Sequence, residues 1–270
     1  MIKPYALGLI AAIAAATLSA AHAFDESKYP NWRGLWQQLG GSSWDPAGQE
    51  APLTPEYRAV YEASLKNEAA AGVEADPTAR CIPAGFPRVM MALKPMEIVI
   101  TPAATYFMIQ EFNTLRRVYT DGRRFPADFE LSYTGYSIGE WEDTDHDGKY
   151  DTLLIETRGI RGPHSYDASG IPFHKDSEAV VTEKIYADKA NSDILHDEIT
   201  VADHALTRPW TVTRSYSRAG EPAALDWSEH LCIDDNKRVE IGDQMYKLSP
   251  EGLLMPSRTG QKPPDLGYFK

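Results

Sequence analysis

GYSIGEWEDTDHDGKYDTLLIETRG, residues 135–159, decides the fold, because it carries two chemical signatures and one periodicity that judges both. Gly135-Tyr136-Ser137-Ile138-Gly139 has the G-x-S-x-G spacing of a hydrolase nucleophile elbow. That elbow works only where a strand turns sharply into a helix and lifts the serine hydroxyl above the sheet. Here Glu140-Trp141-Glu142-Asp143 follow without a helical period, and no strand–helix alternation occurs anywhere in the chain. Two β-rich runs flanking an acidic turn with Asp147-Gly148 read instead as paired strands, the glycines relieving crowding or curvature.

The turn reproduces the first part of a D-x-D-x-D-G calcium loop with Asp143, Asp145, Asp147, Gly148 and Asp151. Alternate carboxylates can converge on a hard cation while the glycine permits the bend. The twelfth position is Leu154 rather than a bidentate glutamate, and no helix flanks the loop. The expectation is therefore no EF-hand, and either a weak calcium site on Asp143, Asp145, Asp147 and Asp151 or a solvated acidic turn. No organic cofactor is expected.

Outward from this stretch the period stays near two. Strand-like runs cover 96–101, 105–114, 115–120, 131–141, 150–157, 179–186, 194–201, 210–217 and 225–232, with Asp121-Gly122 as a further turn signal. Eight or nine closely spaced strands without intervening helices predict an all-β protein, an antiparallel lipocalin-like barrel over residues 96–270 with a C-terminal tail. Before it, 24–95 reads as an irregular extension with one helix. Thr54 caps that helix, Pro55 fits its first turn, and Tyr57, Val60, Tyr61 and Leu65 form one apolar face. The runs 115–119 and 194–200 carry charge on both faces. Inward charges are costly unless paired, so the lumen is expected to be polar and suited to a small ligand.

Residues 1–23 combine Lys3, an apolar core and a terminal Ala21-His22-Ala23, the pattern of a cleaved export signal that is too short to span a bilayer. A periplasmic or secreted protein without membrane insertion is expected. In such an oxidising compartment Cys81 and Cys232, the only cysteines, are expected to form a disulfide, with two free thiols or one catalytic thiol as the alternatives. The formal net charge of −12 repels phosphate backbones and argues against nucleic-acid binding. The oligomeric state is not legible.

Two clusters bear chemistry. His164 and His174 bracket Tyr166 and Asp167 in a long loop and can exchange protons with help from Asp167 or Asp121. Arg117, Tyr119 and Arg123 could orient an oxygenated aromatic or carboxylate ligand, with Tyr166 as a further contact. No zinc-type histidine spacing is present.

YTDGRRFP (119–126), GYSIGEWE (135–142), YDTLLIETRG (150–159) and DHALTRPW (203–210) together resemble a large family of exported bacterial proteins of unassigned activity. The family shares YTDGR, G-(Y/H)-S-I-G-x-W-E, D-T-L-x-x-E-T and T-R-P-W motifs. The resemblance spans about residues 80–232. It implies a shared fold and export but no transferable activity. The expected function is a cofactor-independent lyase or hydrolase acting by acid/base chemistry on a small, largely apolar aromatic molecule in the barrel. A non-catalytic binding protein of the same shape is the alternative.

Overall fold

The computed structural model describes residues 24–219 and 237–264, without 42, 46 and 72–75, together with 227, 231, 232 and 267. Residues 1–23, expected to be an export signal, and most of the predicted strand 225–232 lie outside the described residues. Nine strands close into a barrel in chain order: β1 (Leu35–Leu39), β2 (Met96–Ile100), β3 (Ala104–Ile109), β4 (Thr114–Tyr119), β5 (Tyr136–Glu142), β6 (Thr152–Arg158), β7 (Val180–Ala187), β8 (Ile194–Ala202) and β9 (Trp210–Arg218). Among the described residues one α-helix, α1 (Pro55–Ala71), lies between β1 and β2, followed by the short 3-10 helices Pro77–Arg80 and Arg88–Met91, and three short strands after the barrel, β10 (Arg238–Ile241), β11 (Gln244–Leu248) and β12 (Leu254–Pro256), form a separate sheet. The all-β, lipocalin-like architecture with an N-terminal helix is thus present. Among the described residues no helix is long and apolar enough to cross a membrane.

Two features depart from the sequence reading. The region 24–95 contributes β1, which closes the barrel by pairing Trp36 with Met96 of β2 and Leu39 with Ser215 of β9. Its LWQQL sequence hides a strand because it is only five residues long and carries two glutamines at its centre. In addition, β4 and β5 pair in parallel, Val118 with Ser137 and Tyr119 with Ile138, whereas every other neighbouring pair is antiparallel. The crossover 120–135 that a parallel pair requires packs Phe129 against Gly159, where a Cβ would lie 2.1 Å from the ring.

Alternation along the strands sends Trp36, Ile98, Phe107, Val118, Leu153, Ile155, Val181, Ile199 and Val212 inward, all nearly or fully buried. Each such side chain contributes roughly 1.5–3 kcal/mol relative to exposure. The same register places Ser137 inside, 1% exposed, its hydroxyl 2.8 Å from Thr157 Oγ1. The G-x-S-x-G serine is therefore a lumenal strand residue. Its glycines answer to close approach: a Cβ on Gly139 would meet Val118 Cγ1 at 2.8 Å, and one on Gly135 would meet Thr157 Cγ2 at 2.6 Å.

The lumen is polar, as the two-faced charge pattern predicts, but it is filled by its own side chains. Arg116, with no exposed side-chain surface, forms a two-pronged ion pair with the equally buried Glu183, one prong at 2.8 Å. It also donates to Thr157 Oγ1 at 3.2 Å and lies over the Phe86 ring, whose centroid is 3.9 Å from the guanidinium carbon. Arg214 donates to the main-chain oxygens of Gly41, Ser43 and Trp44 at 2.9–3.2 Å. Tyr216 donates to Met90 O at 2.6 Å. Asp197 is completely buried, and its carboxylate oxygens have no hydrogen-bond donor while ionised. Burial, and then the neighbouring Glu183, raise Asp197 well above the ordinary carboxylate value of 3.8.

Candidate functional site

The cavity that carries the sequence-predicted histidines lies outside the barrel, between α1 and the long β6–β7 connection. Thr54 caps α1 by accepting from Tyr57 N–H at 3.3 Å, and the segment before it is tied to the β8–β9 connection. Thr54 N–H donates to Ala205 O and Thr207 N–H to Pro52 O, both at 2.8 Å. The β6–β7 connection is folded around Asp167, whose carboxylate accepts from Trp44 N–H and Ser169 N–H, both at 2.9 Å. Tyr166 is fully buried and stacks on Phe173 with centroids 3.9 Å apart. Asp167 and Tyr166, expected as catalytic support and ligand contact, thus organise the loop and are absent from the cavity wall.

The cavity has a volume of about 460 Å³. Val60, Tyr61, Pro163 and Phe173 give it an apolar lining, and His164, His174, Lys175 and Arg80 bring its polar chemistry. The half-exposed Val60 on α1 is explained by this lining, since the predicted apolar stripe of the helix faces the cavity as well as the core.

The two histidines differ. His164 is 7% exposed with its ring 4.1 Å from Phe173, and burial pushes it down to about 4, so it is neutral near pH 7. Neither of its ring nitrogens has a hydrogen-bond partner of good geometry, and both are covered from solvent. His174 Nδ1 lies 2.7 Å from Asp176 Oδ2, to which it donates in the tautomer that leaves the lone pair on Nε2. Its ring lies 5.0 Å from Tyr57, and its main-chain N–H donates to the buried Asp203 at 3.0 Å. His204 Nδ1 reaches the same Asp176 oxygen at 2.6 Å. Burial would raise Asp176, but hydrogen bonds from Glu178 N–H and the two imidazoles outweigh it and bring the group to about 2. Burial raises Asp203.

The arginine cluster lies elsewhere. Because Arg116 and Val118 point inward, Arg117 and Tyr119 project from the outer face of β4. Arg123 pairs with Asp121 at 2.6 Å and lies over the Tyr119 ring at 3.8 Å, while Tyr119 stacks on Tyr136. Hydrogen bonds from Arg123 lower Asp121. Arg123 also lines a groove of about 800 Å³ across the outer face of β5–β8, together with Tyr29, Trp141 and Tyr150. This groove shares no lining residue with the histidine cavity, so the geometry does not bring Asp121, Arg117, Tyr119 and Arg123 to the histidines.

In the acidic turn, Asp143, Asp145 and Asp151 place carboxylate oxygens within 4.8 Å of one another. Asp147 stands apart from that trio and accepts from Lys149 N–H at 2.8 Å. Asp176 and His204 escaped the sequence search as site members because they lie 28 residues apart on different connections, and only the β7–β8 hairpin brings them together. The one available signal was the H-x-D spacing of His174 and Asp176. No protein-family model matches the chain, and no curated protein matches it.

Proposed function

We propose that the chain is a periplasmic lyase or hydrolase that works by acid/base chemistry on a small, largely apolar aromatic molecule held between α1 and the β6–β7 connection. We also place it with the exported family that its strand motifs resemble. The observation carrying this reading is the convergence of two imidazoles on one apolar cavity. His174, its Nδ1 engaged by Asp176, offers Nε2 as base; His164, neutral, is the second proton-transfer group; Lys175 and Arg80 take the place of the distant Arg117 and Arg123 as stabilisers of negative charge on oxygen. Positioned proton transfer is worth about 10²–10⁴-fold in rate.

The alternative, a binding protein without turnover, is favoured by the covered ring nitrogens of His164, which a ligand reaches only if α1 or the loop yields. Mass spectrometry of small molecules retained by the purified protein, followed by incubation of the retained molecule with wild type and His174→Ala, separates the two. Conversion by wild type with a loss of at least about 100-fold in the variant is the expected result. Retention by both with no conversion establishes the binding reading, and retention unaffected by filling the cavity with Val60→Trp refutes both.

For the acidic turn we propose weak calcium binding by Asp143, Asp145 and Asp151. Calcium at ten times its Kd should stabilise the protein by about 1.4 kcal/mol. Thermal melts with and without millimolar calcium check this, and an unmoved Tm refutes it.

A further inference from the structure

We propose that His174 Nδ1, Asp176 Oδ2 and His204 Nδ1 form a three-ligand site for a divalent transition metal of the zinc class, at the edge of the histidine cavity. The inference shares His174 with the function proposed above and is chosen to fail separately from it. Three potential ligand atoms from two different connections lie within 4.8 Å of one another, with one carboxylate oxygen 2.7 and 2.6 Å from the two imidazole nitrogens. Metal–ligand bonds of about 2.0–2.2 Å require the donors of a tetrahedral site to stand roughly 3.4 Å apart, so a displacement of under about 1 Å opens the cluster around an ion.

The donor set selects the metal. Two imidazole nitrogens and one carboxylate suit zinc and its first-row neighbours, whereas calcium and magnesium prefer all-oxygen shells. At 2.7 Å from Asp176 Oδ2, His174 Nδ1 faces the carboxylate across a shared proton, and a metal ion would take the place of that proton, leaving the ring proton on Nε2. The support is also built: Asp203 accepts from His174 N–H, Tyr57 Oη accepts from Lys175 N–H at 3.1 Å, and Asp176 Oδ1 accepts from Glu178 N–H at 3.0 Å. These bonds fix the 174–178 backbone, as outer-shell contacts do at metal sites. Three protein ligands leave a fourth position for water, the arrangement of catalytic rather than structural zinc. A metal on Nδ1 would hold the proton on Nε2, so a bound water of lowered pKa would take over the part of base from His174 and favour the hydrolase over the lyase form of the proposed function.

The test is titration of chelator-stripped protein with Co²⁺, read by visible absorption, and with Zn²⁺, read by calorimetry. One equivalent per chain is expected, weakened at least 100-fold in His204→Ala and Asp176→Asn and unchanged in Asp145→Asn. His204 is largely exposed, so its alanine variant tests the site without endangering the fold. Absence of binding, or binding that survives His204→Ala and Asp176→Asn, overturns the inference. Retention of the cavity molecule by the stripped protein, measured in parallel, shows whether the cavity reading stands or falls apart from it.

Discussion

Arg116→Met should lower the free energy of unfolding at pH 7 by about 3–5 kcal/mol, the range for breaking one partner out of a buried ion pair. The loss comes less from the missing attraction than from what remains. Glu183 has no exposed side-chain surface, and the charge of Arg116 is what neutralises it in the lumen. Without Arg116 it must stay ionised in the closed lumen or take up a proton, and proton uptake costs more as pH rises. Asp197 already behaves in the second way. Its folded value is raised, so its contribution to stability is complete below about 3.8 and is lost as pH rises toward the folded value. The Arg116→Met deficit is therefore expected to be smaller at pH 4 than at pH 7. Urea unfolding at both values measures it. The double variant Arg116→Met/Glu183→Leu should recover most of the loss, since apolar replacement of a whole buried pair is often neutral. A single-variant loss below about 1 kcal/mol, or one equal at the two pH values, would sink the argument.

How far this was legible in sequence differs by element. Alternation in TLLIETR (152–158) and MEIVI (96–100) exposes a strand directly, and the mixed faces of 115–119 and 194–200 correctly announced a charged lumen. What alternation could not supply was which charges meet, because Arg116 and Glu183 are 67 residues apart and their pairing depends on the barrel closing. It also could not supply β1, whose two central glutamines look like loop, or the parallel β4–β5 pair, which depends on the path of 120–135. At the candidate site the histidines were visible as residue types. Their surroundings were not: burial against Phe173 makes His164 neutral, and the meeting of two connections gives Asp176 its second imidazole. Tyr166 and Asp167 looked chemical for the same reason, yet Trp44, from a segment 123 residues earlier, turns Asp167 into a loop anchor.

The pairing of Cys81 with Cys232, which stand at disulfide distance, yields the other large effect. Its partners are 151 residues apart, and in the chain-entropy model closing such a loop removes unfolded-state freedom worth about 5 kcal/mol. That is a large share of the roughly 5–15 kcal/mol that keeps a domain folded. Cys81→Ser/Cys232→Ser should accordingly lower Tm by about 10–20 °C, at 2–4 °C per kcal/mol for a chain of this size. Calorimetry of the double variant, beside wild type with and without reductant, measures the effect. The effect should not be confined to stability. Cys81 ends the short 3-10 helix Pro77–Arg80, whose Pro77 and Arg80 line the histidine cavity, and Asp76 ahead of it is held by Arg88 at 2.8 Å. Loss of the bridge leaves that wall held by the Asp76–Arg88 pair and its hydrogen bonds to Thr78. Retention of the cavity molecule should then weaken while the barrel, whose closure by β1 and β9 involves neither cysteine, still folds. A double variant with an unchanged Tm would mean that the chain between the cysteines is already confined when unfolded. One with a lowered Tm but undiminished retention would separate the bridge from the cavity.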